Sequence, residues 1–163
     1  MTKTSYAIAL GSNRRGRTGS PAATVRAAAE ALGVERLSAV RLTPALGPAG
    51  RSFANAAAIL ATPLDPPALL AELKGLERRF GRRPGRAWGP RVLDLDIILW
   101  SGGAWEGPGL VLPHPQFRAR RFVLDPLTEI APDWRDPLTG ATVRQLRARL
   151  GRANPVDRGS APT

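Results

Sequence analysis

Cysteine is absent from this 163-residue chain, which excludes disulfide staples, thiolate zinc sites and thiol nucleophiles. Such a chain is compatible with a reducing cytoplasm. Histidine occurs once, as His114, and lysine only as Lys3 and Lys74. The N-terminal residues Met1-Thr2-Lys3-Thr4-Ser5 lack the apolar stretch of a signal peptide. No uninterrupted apolar run approaches the roughly 20 residues that a membrane helix needs. The expectation is a soluble, cytoplasmic protein without membrane contact.

Acidic residues are also scarce, 13 against 24 lysines and arginines, for a formal net charge of +11. A basic excess points to a polyanionic partner. Its being nearly all arginine, in a chain rich in alanine, glycine and proline, equally fits a GC-rich coding bias. Total charge therefore decides little, and the positions of particular arginines matter more. The length suits one domain with a hydrophobic core of its own, expected over residues 1–150. The polar segment 151–163 reads as a flexible tail.

Tyr6 to Leu10 reads as a buried strand broken by Gly11-Ser12-Asn13, with an arginine- and glycine-rich loop over 14–20. Ser20 as N-cap and Pro21 at the first helical position open an alanine-rich helix to Leu32, which Gly33 ends. Strands are expected over 34–43 and 53–60, with a proline- and glycine-rich loop between. Asp65 caps a helix over 66–79 with Leu69, Leu70, Leu73 and Leu76 on one side. After a basic loop over 81–90, the clearest strand runs from Val92 to Trp100. Glycine turns lie around 102–109, a partly helical stretch spans 117–130, and a short helix spans 142–150. This order predicts an α+β domain, a ferredoxin-like βαββαβ antiparallel sheet with helices packed on one face, plus C-terminal extras. That fold hosts many chemistries, so function has to come from the residues.

Along a strand, residues two apart share a face, so Asp94 and Asp96 point one way and Leu93, Leu95 and Ile97 the other. Two neighbouring carboxylates repel each other unless a partner resolves the charge. Magnesium, with its preference for hard oxygen ligands, is such a partner; two aspartates on a solvated strand face are the plainer reading. Just upstream, Arg82, Arg83, Arg86 and Arg91 offer planar guanidinium groups that grip phosphate oxygens. Trp88, a large aromatic in that loop, either closes over a ligand or anchors the loop. His114 stands between Pro113 and Pro115 and can donate to phosphate, exchange protons or simply be structural. Arg118, Arg120, Arg121 and Phe122 follow, pointing to an anion-binding lobe.

In order along the chain, Ala7-Ile-Ala-Leu-Gly-Ser-Asn13, Thr43-Pro44 with Phe53-x-Asn55-Ala56, Trp88-Gly-Pro-Arg91 with Leu93-Asp-Leu-Asp-Ile97, and Pro113-His114 with Arg120-x-Phe122 and Glu129-Ile-Ala-Pro132 resemble 6-hydroxymethyl-7,8-dihydropterin pyrophosphokinases. Each motif is short; collinear from Ala7 to Pro132 they are specific. The resemblance implies transfer of pyrophosphate from ATP to the pterin's hydroxymethyl group, a step of folate biosynthesis, by a monomer. It implies that Asp94 and Asp96 hold two magnesium ions and, with Arg82 and Arg91, form the catalytic set. His114, Arg82, Arg91 and Arg120 would contact the ATP phosphates, with Glu77 and the loop residue Trp88 also at the ATP site. Phe53 and Phe122 would sandwich the pterin and Asn55 would bond its polar edge. Thr43, Pro44, Leu46 and Gly11 would complete that pocket. Two positions depart from the family pattern. Arg41 stands where an aromatic is common, and Gly109 where some relatives carry an arginine that contacts phosphate.

Two other classes compete. A basic ferredoxin-like module could bind nucleic acid, but Tyr6, Phe53 and Trp100 do not form the stacking pattern of an RNA-recognition sheet. A two-metal nuclease built on Asp94 and Asp96 would need further carboxylates, for which Glu77 and Glu129 are the nearest candidates.

Overall fold

The computed structural model describes residues 2–43, 53–81 and 92–153. Its centre is an antiparallel sheet. Strand β1 (Thr4–Ser12) pairs on one side with β4 (Phe53–Thr62) and on the other with β5 (Asp94–Trp100). Two short strands, β2 (Arg36–Leu37) and β3 (Arg41–Thr43), pair with the outer side of β4. The order is thus β2 and β3, then β4, β1 and β5.

Helix α1 (Pro21–Leu32) starts where the sequence predicts: the Ser20 hydroxyl accepts from the Ala23 N–H, and Pro21 occupies the first turn. Gly33 ends it in the left-handed region at φ 68°. Helix α2 (Pro66–Arg79) is capped in the same way by Asp65. Both helices lie on one face of the sheet. Val25, Ala28, Leu69, Leu73 and Leu76 pack there on Tyr6, Ile8, Leu10, Ala56, Leu95 and Ile97. Each valine, leucine or isoleucine among them contributes about 1.5–3 kcal/mol on full burial.

The opposite face is covered as well, which corrects the expectation of helices on one face only. Helices α3 (Arg121–Ile130) and α4 (Val143–Ala153) bury Val123, Leu124, Leu127, Val143 and Leu146 against Ala7, Ala57, Ile98 and Leu99. The reason is visible in β1 and β4, whose near-continuous apolar runs belong to strands buried on both sides. Tyr6 and Trp100 belong to the first face, packed with α1 and α2, and offer no open aromatic platform of the kind RNA binding would need. Tyr6 is fully buried and stacks on Trp100, with ring centroids 6.2 Å apart.

Other expectations shift in detail. The strand expected over 34–43 is split by Ser38, whose N–H donates to the Ala57 carbonyl while its hydroxyl accepts from the Ala57 N–H. A side chain thus stands in for a ladder carbonyl and turns the chain. The glycine turns after β5 form an unanticipated hairpin of β6 (Trp105–Gly107) and β7 (Leu110–Leu112), closed by Gly109 at φ 71°. Helix α4 runs through Ala153, so the first residues of the expected tail are helical. No helix of the described residues is long and apolar enough to cross a membrane.

Candidate active site

Residues paired across antiparallel strands project on the same face. Arg41 opposes Asn55, Asn55 opposes Gly11, and Gly11 opposes Asp94. These four form one row across β3, β4, β1 and β5, on the face that α3 and α4 cover elsewhere. In the next row Asp96 opposes Ala9. Helices cover the part of this face lined by alanine and isoleucine, and the polar row lies beyond them. Neighbouring strands are about 4.8 Å apart, so the backbones at Asn55 and Asp94 are about 10 Å apart with Gly11 between.

Gly11 keeps that interval open. A β-carbon there would sit 3.1 Å from Asn55 Oδ1 and 3.8 Å from the Ala54 carbonyl oxygen. Asn55 is only 8% exposed, and its Nδ2 has no hydrogen-bond partner. A buried amide donor without a partner costs about 1–3 kcal/mol, a cost that a ligand acceptor at this point would relieve. Phe53, opposite Thr43 at the start of β4, is one of the few large apolar side chains left exposed among the described residues. Phe122 lies in the first turn of α3, half-buried, with the Arg120 guanidinium 5.5 Å over its ring.

His114 is fixed beside β5, its N–H donating to the Ile98 carbonyl at 2.9 Å. Its Nδ1 accepts from the Gln116 N–H at 3.1 Å, which leaves the proton of the neutral ring on Nε2. Burial, and secondly the charge of Arg120, hold its pKa below the usual 6.5. The Gln116 side-chain oxygen accepts from Arg120, so one residue orients both candidate phosphate contacts.

Arg118 does not belong to the anion-binding lobe proposed from the sequence. It makes a two-pronged ion pair with Asp136, Nε to Oδ2 at 2.5 Å and Nη2 to Oδ1 at 2.8 Å. Asp136 is fully buried and also accepts from Thr139 Oγ1 and the Leu138 N–H. Burial raises its pKa, but Arg118 and the other two donors outweigh that and lower it to about 2. The pair ties the 3-10 turn Phe117–Ala119, just after His114, to the loop before α4. Sequence reading missed it because the partners are 18 residues apart with no periodic relation.

Glu77, expected among the ATP contacts, is only 1% exposed; its Oε2 accepts from the Leu95 N–H at 2.8 Å. It grips the backbone of β5 from α2. Glu129 bonds Arg41 at 2.9 Å and the Ala39 N–H at 2.9 Å, tying β3 to α3. That pair accounts for the arginine at position 41. Neither glutamate joins Asp94 and Asp96, and no group of three or more potential ligands collects among the described residues. Two half-buried carboxylates on one face suit magnesium, which takes few protein ligands and completes its shell with phosphate oxygens and water. Pro44, Leu46, Arg82, Trp88 and Arg91 lie outside the described residues.

A family model described as 7,8-dihydro-6-hydroxymethylpterin-pyrophosphokinase (HPPK) matches residues 7–132. A protein of Synechocystis sp. named 2-amino-4-hydroxy-6-hydroxymethyldihydropteridine pyrophosphokinase is 46% identical over 69% of this chain and 58% of its own length. A protein of the same name from Methylorubrum extorquens is 40% identical over 88% of this chain and 91% of its own. Among solved structures, Plasmodium falciparum HPPK-DHPS aligns with a TM-score of 0.72 at 12% identity, over 96% of this chain and 46% of that one. At that identity the likeness concerns the fold. The chain thus spans just over half the length of the Synechocystis relative and under half of the Plasmodium chain.

Proposed function

Because the chain belongs to the 7,8-dihydro-6-hydroxymethylpterin-pyrophosphokinase family, we propose that it transfers pyrophosphate from ATP to the hydroxymethyl oxygen of 6-hydroxymethyl-7,8-dihydropterin, releasing AMP, in folate biosynthesis. The observation that carries this reading is the row Asn55–Gly11–Asp94. It sets an unsatisfied amide donor and a carboxylate on either side of a gap with no side chain.

Asn55 bonds the mixed donor and acceptor edge of the pterin. Phe53 and Phe122 hold the ring between them by offset stacking, and the backbones of Thr43, Pro44 and Leu46 complete the pocket. The hydroxymethyl arm extends over Gly11 toward Asp94. Asp94 and Asp96 hold magnesium, two ions in the fullest form of this reading; bound there, the metal neutralises triphosphate charge. His114 donates from Nε2 to a phosphate oxygen while still neutral, and Arg120 supplies positive charge beside it. Arg82 and Arg91 are the further proposed phosphate contacts, and Trp88 covers the nucleotide. Transfer of this kind depends mainly on alignment and charge neutralisation, which these residues supply. The fold is read as the ferredoxin-like arrangement, the site lying at one end of its sheet.

Asp96→Ala tests the assignment: turnover falls by at least about 100-fold while circular dichroism and melting stay close to the parent's. Near-parental turnover in that variant would contradict the metal role.

A further inference from the structure

Glu77 belongs to α2, on the sheet face opposite the active-site row, yet its carboxylate meets the strand that carries Asp94 and Asp96. Among the described residues strand β5 ends the sheet, with a neighbouring strand on one side only. Edge amides of this kind are ordinarily left to water. At Leu95, between the two aspartates, the amide instead donates to Glu77 Oε2 at 2.8 Å in a buried setting. The same residue pairs with Leu10 of β1, and its side chain is buried in the core. Leu95 is therefore held from three directions. The aspartates share its two flanking peptide units, so the Leu95 backbone sets how their carboxylates stand relative to each other.

We infer that Glu77 is a positioning residue for the divalent-cation site, acting through the Leu95 amide rather than on ATP. The inference rests on the reading that Asp94 and Asp96 hold the metal. Its physical basis is that groups which order a metal's ligands typically change metal affinity by about 10- to 100-fold when they are removed. Without an acceptor, the buried Leu95 N–H is unsatisfied and the strand edge can rotate to find water.

The test uses manganese as the probe, with a non-hydrolysable ATP analogue, and measures its affinity for the full chain by electron paramagnetic resonance. Glu77→Leu keeps bulk but cannot accept; its manganese dissociation constant should rise about 10-fold. Glu77→Gln keeps an acceptor oxygen at the same reach and should bind manganese close to the parent's affinity. If Glu77→Leu does not fold, Glu77→Asp, which keeps the charge but withdraws the oxygen by one carbon, should show the same loss. A folded Leu or Asp variant with parental manganese affinity overturns the inference, as does a Gln variant as impaired as the Leu variant. Absence of manganese binding to the parent itself would instead overturn the metal assignment of Asp94 and Asp96, and the inference with it.

Discussion

Gly11 and Asn55 face each other across β1 and β4 so closely that a β-carbon on Gly11 would sit 3.1 Å from the Asn55 side-chain oxygen. Gly11→Ala should therefore push Asn55 aside and fill part of the space for the hydroxymethyl arm. Gly11 does not have a positive φ, so alanine costs little in the backbone itself. The expected outcome is a rise of about tenfold in KM for the pterin, or about 1.4 kcal/mol, with a much smaller change in KM for ATP. Steady-state kinetics with each substrate varied in turn check this. Unchanged pterin kinetics would show that the space over Gly11 is not used.

Asn55→Leu keeps the size of the side chain but removes the unpaired donor. In the free protein it should be neutral or stabilising, because an orphaned buried amide disappears. With the pterin it should cost about 1–3 kcal/mol of binding, since the ring edge loses its partner. Thermal melting and equilibrium titration with the pterin measure the two effects, which have opposite signs only if Asn55 serves the ligand.

His114 is the single histidine, so a proton NMR titration shows one imidazole Hε1 resonance, without overlap from other histidines. In the free protein the midpoint should lie below 6.5, because burial and Arg120 disfavour the charged ring. The unfolded chain then takes up the proton first. Stability should therefore fall as pH drops through 6.5 and stop falling once the folded midpoint is passed. Addition of ATP with magnesium should move the midpoint upward, because phosphate favours the protonated ring. A midpoint unmoved by ATP would place the phosphates elsewhere.

The Arg118–Asp136 pair carries a stability prediction. Arg118→Met leaves the Asp136 carboxylate buried without its cation and should cost about 3 kcal/mol, read by calorimetry. In the parent, Asp136 is depressed from 3.8 to about 2, so its contribution is complete above pH 4 and is lost as pH falls toward 2. The variant should lack that acid limb. Because the 3-10 turn it ties down follows His114, its KM for ATP should also rise.

How much of this was legible in the sequence depends on whether the signal was local. Ser20-Pro21 with Gly33, and Asp65 with the leucines after it, fixed the bounds of α1 and α2, because caps act within one turn. The alternation around Asp94 and Asp96 placed both carboxylates on one face for the same reason. The covering of the second sheet face was present in the apolar run of β1 but was not read, since alanine packs as readily against a helix as it faces water. The split at Ser38, the Arg118–Asp136 pair and the Glu77–Leu95 bond are contacts between distant segments. No period in the sequence announces them. Arg118 in particular reads as part of an anion-binding lobe because Arg120, Arg121 and Phe122 follow it so closely in the chain.

The central claim is the transfer of two phosphoryl units together, and phosphorus NMR of the reaction products tests it most directly. With ATP, magnesium and 6-hydroxymethyl-7,8-dihydropterin, the account predicts AMP and a pterin diphosphate in equal amounts. ADP with a pterin monophosphate, or ATP left intact beside unmodified pterin, would contradict it.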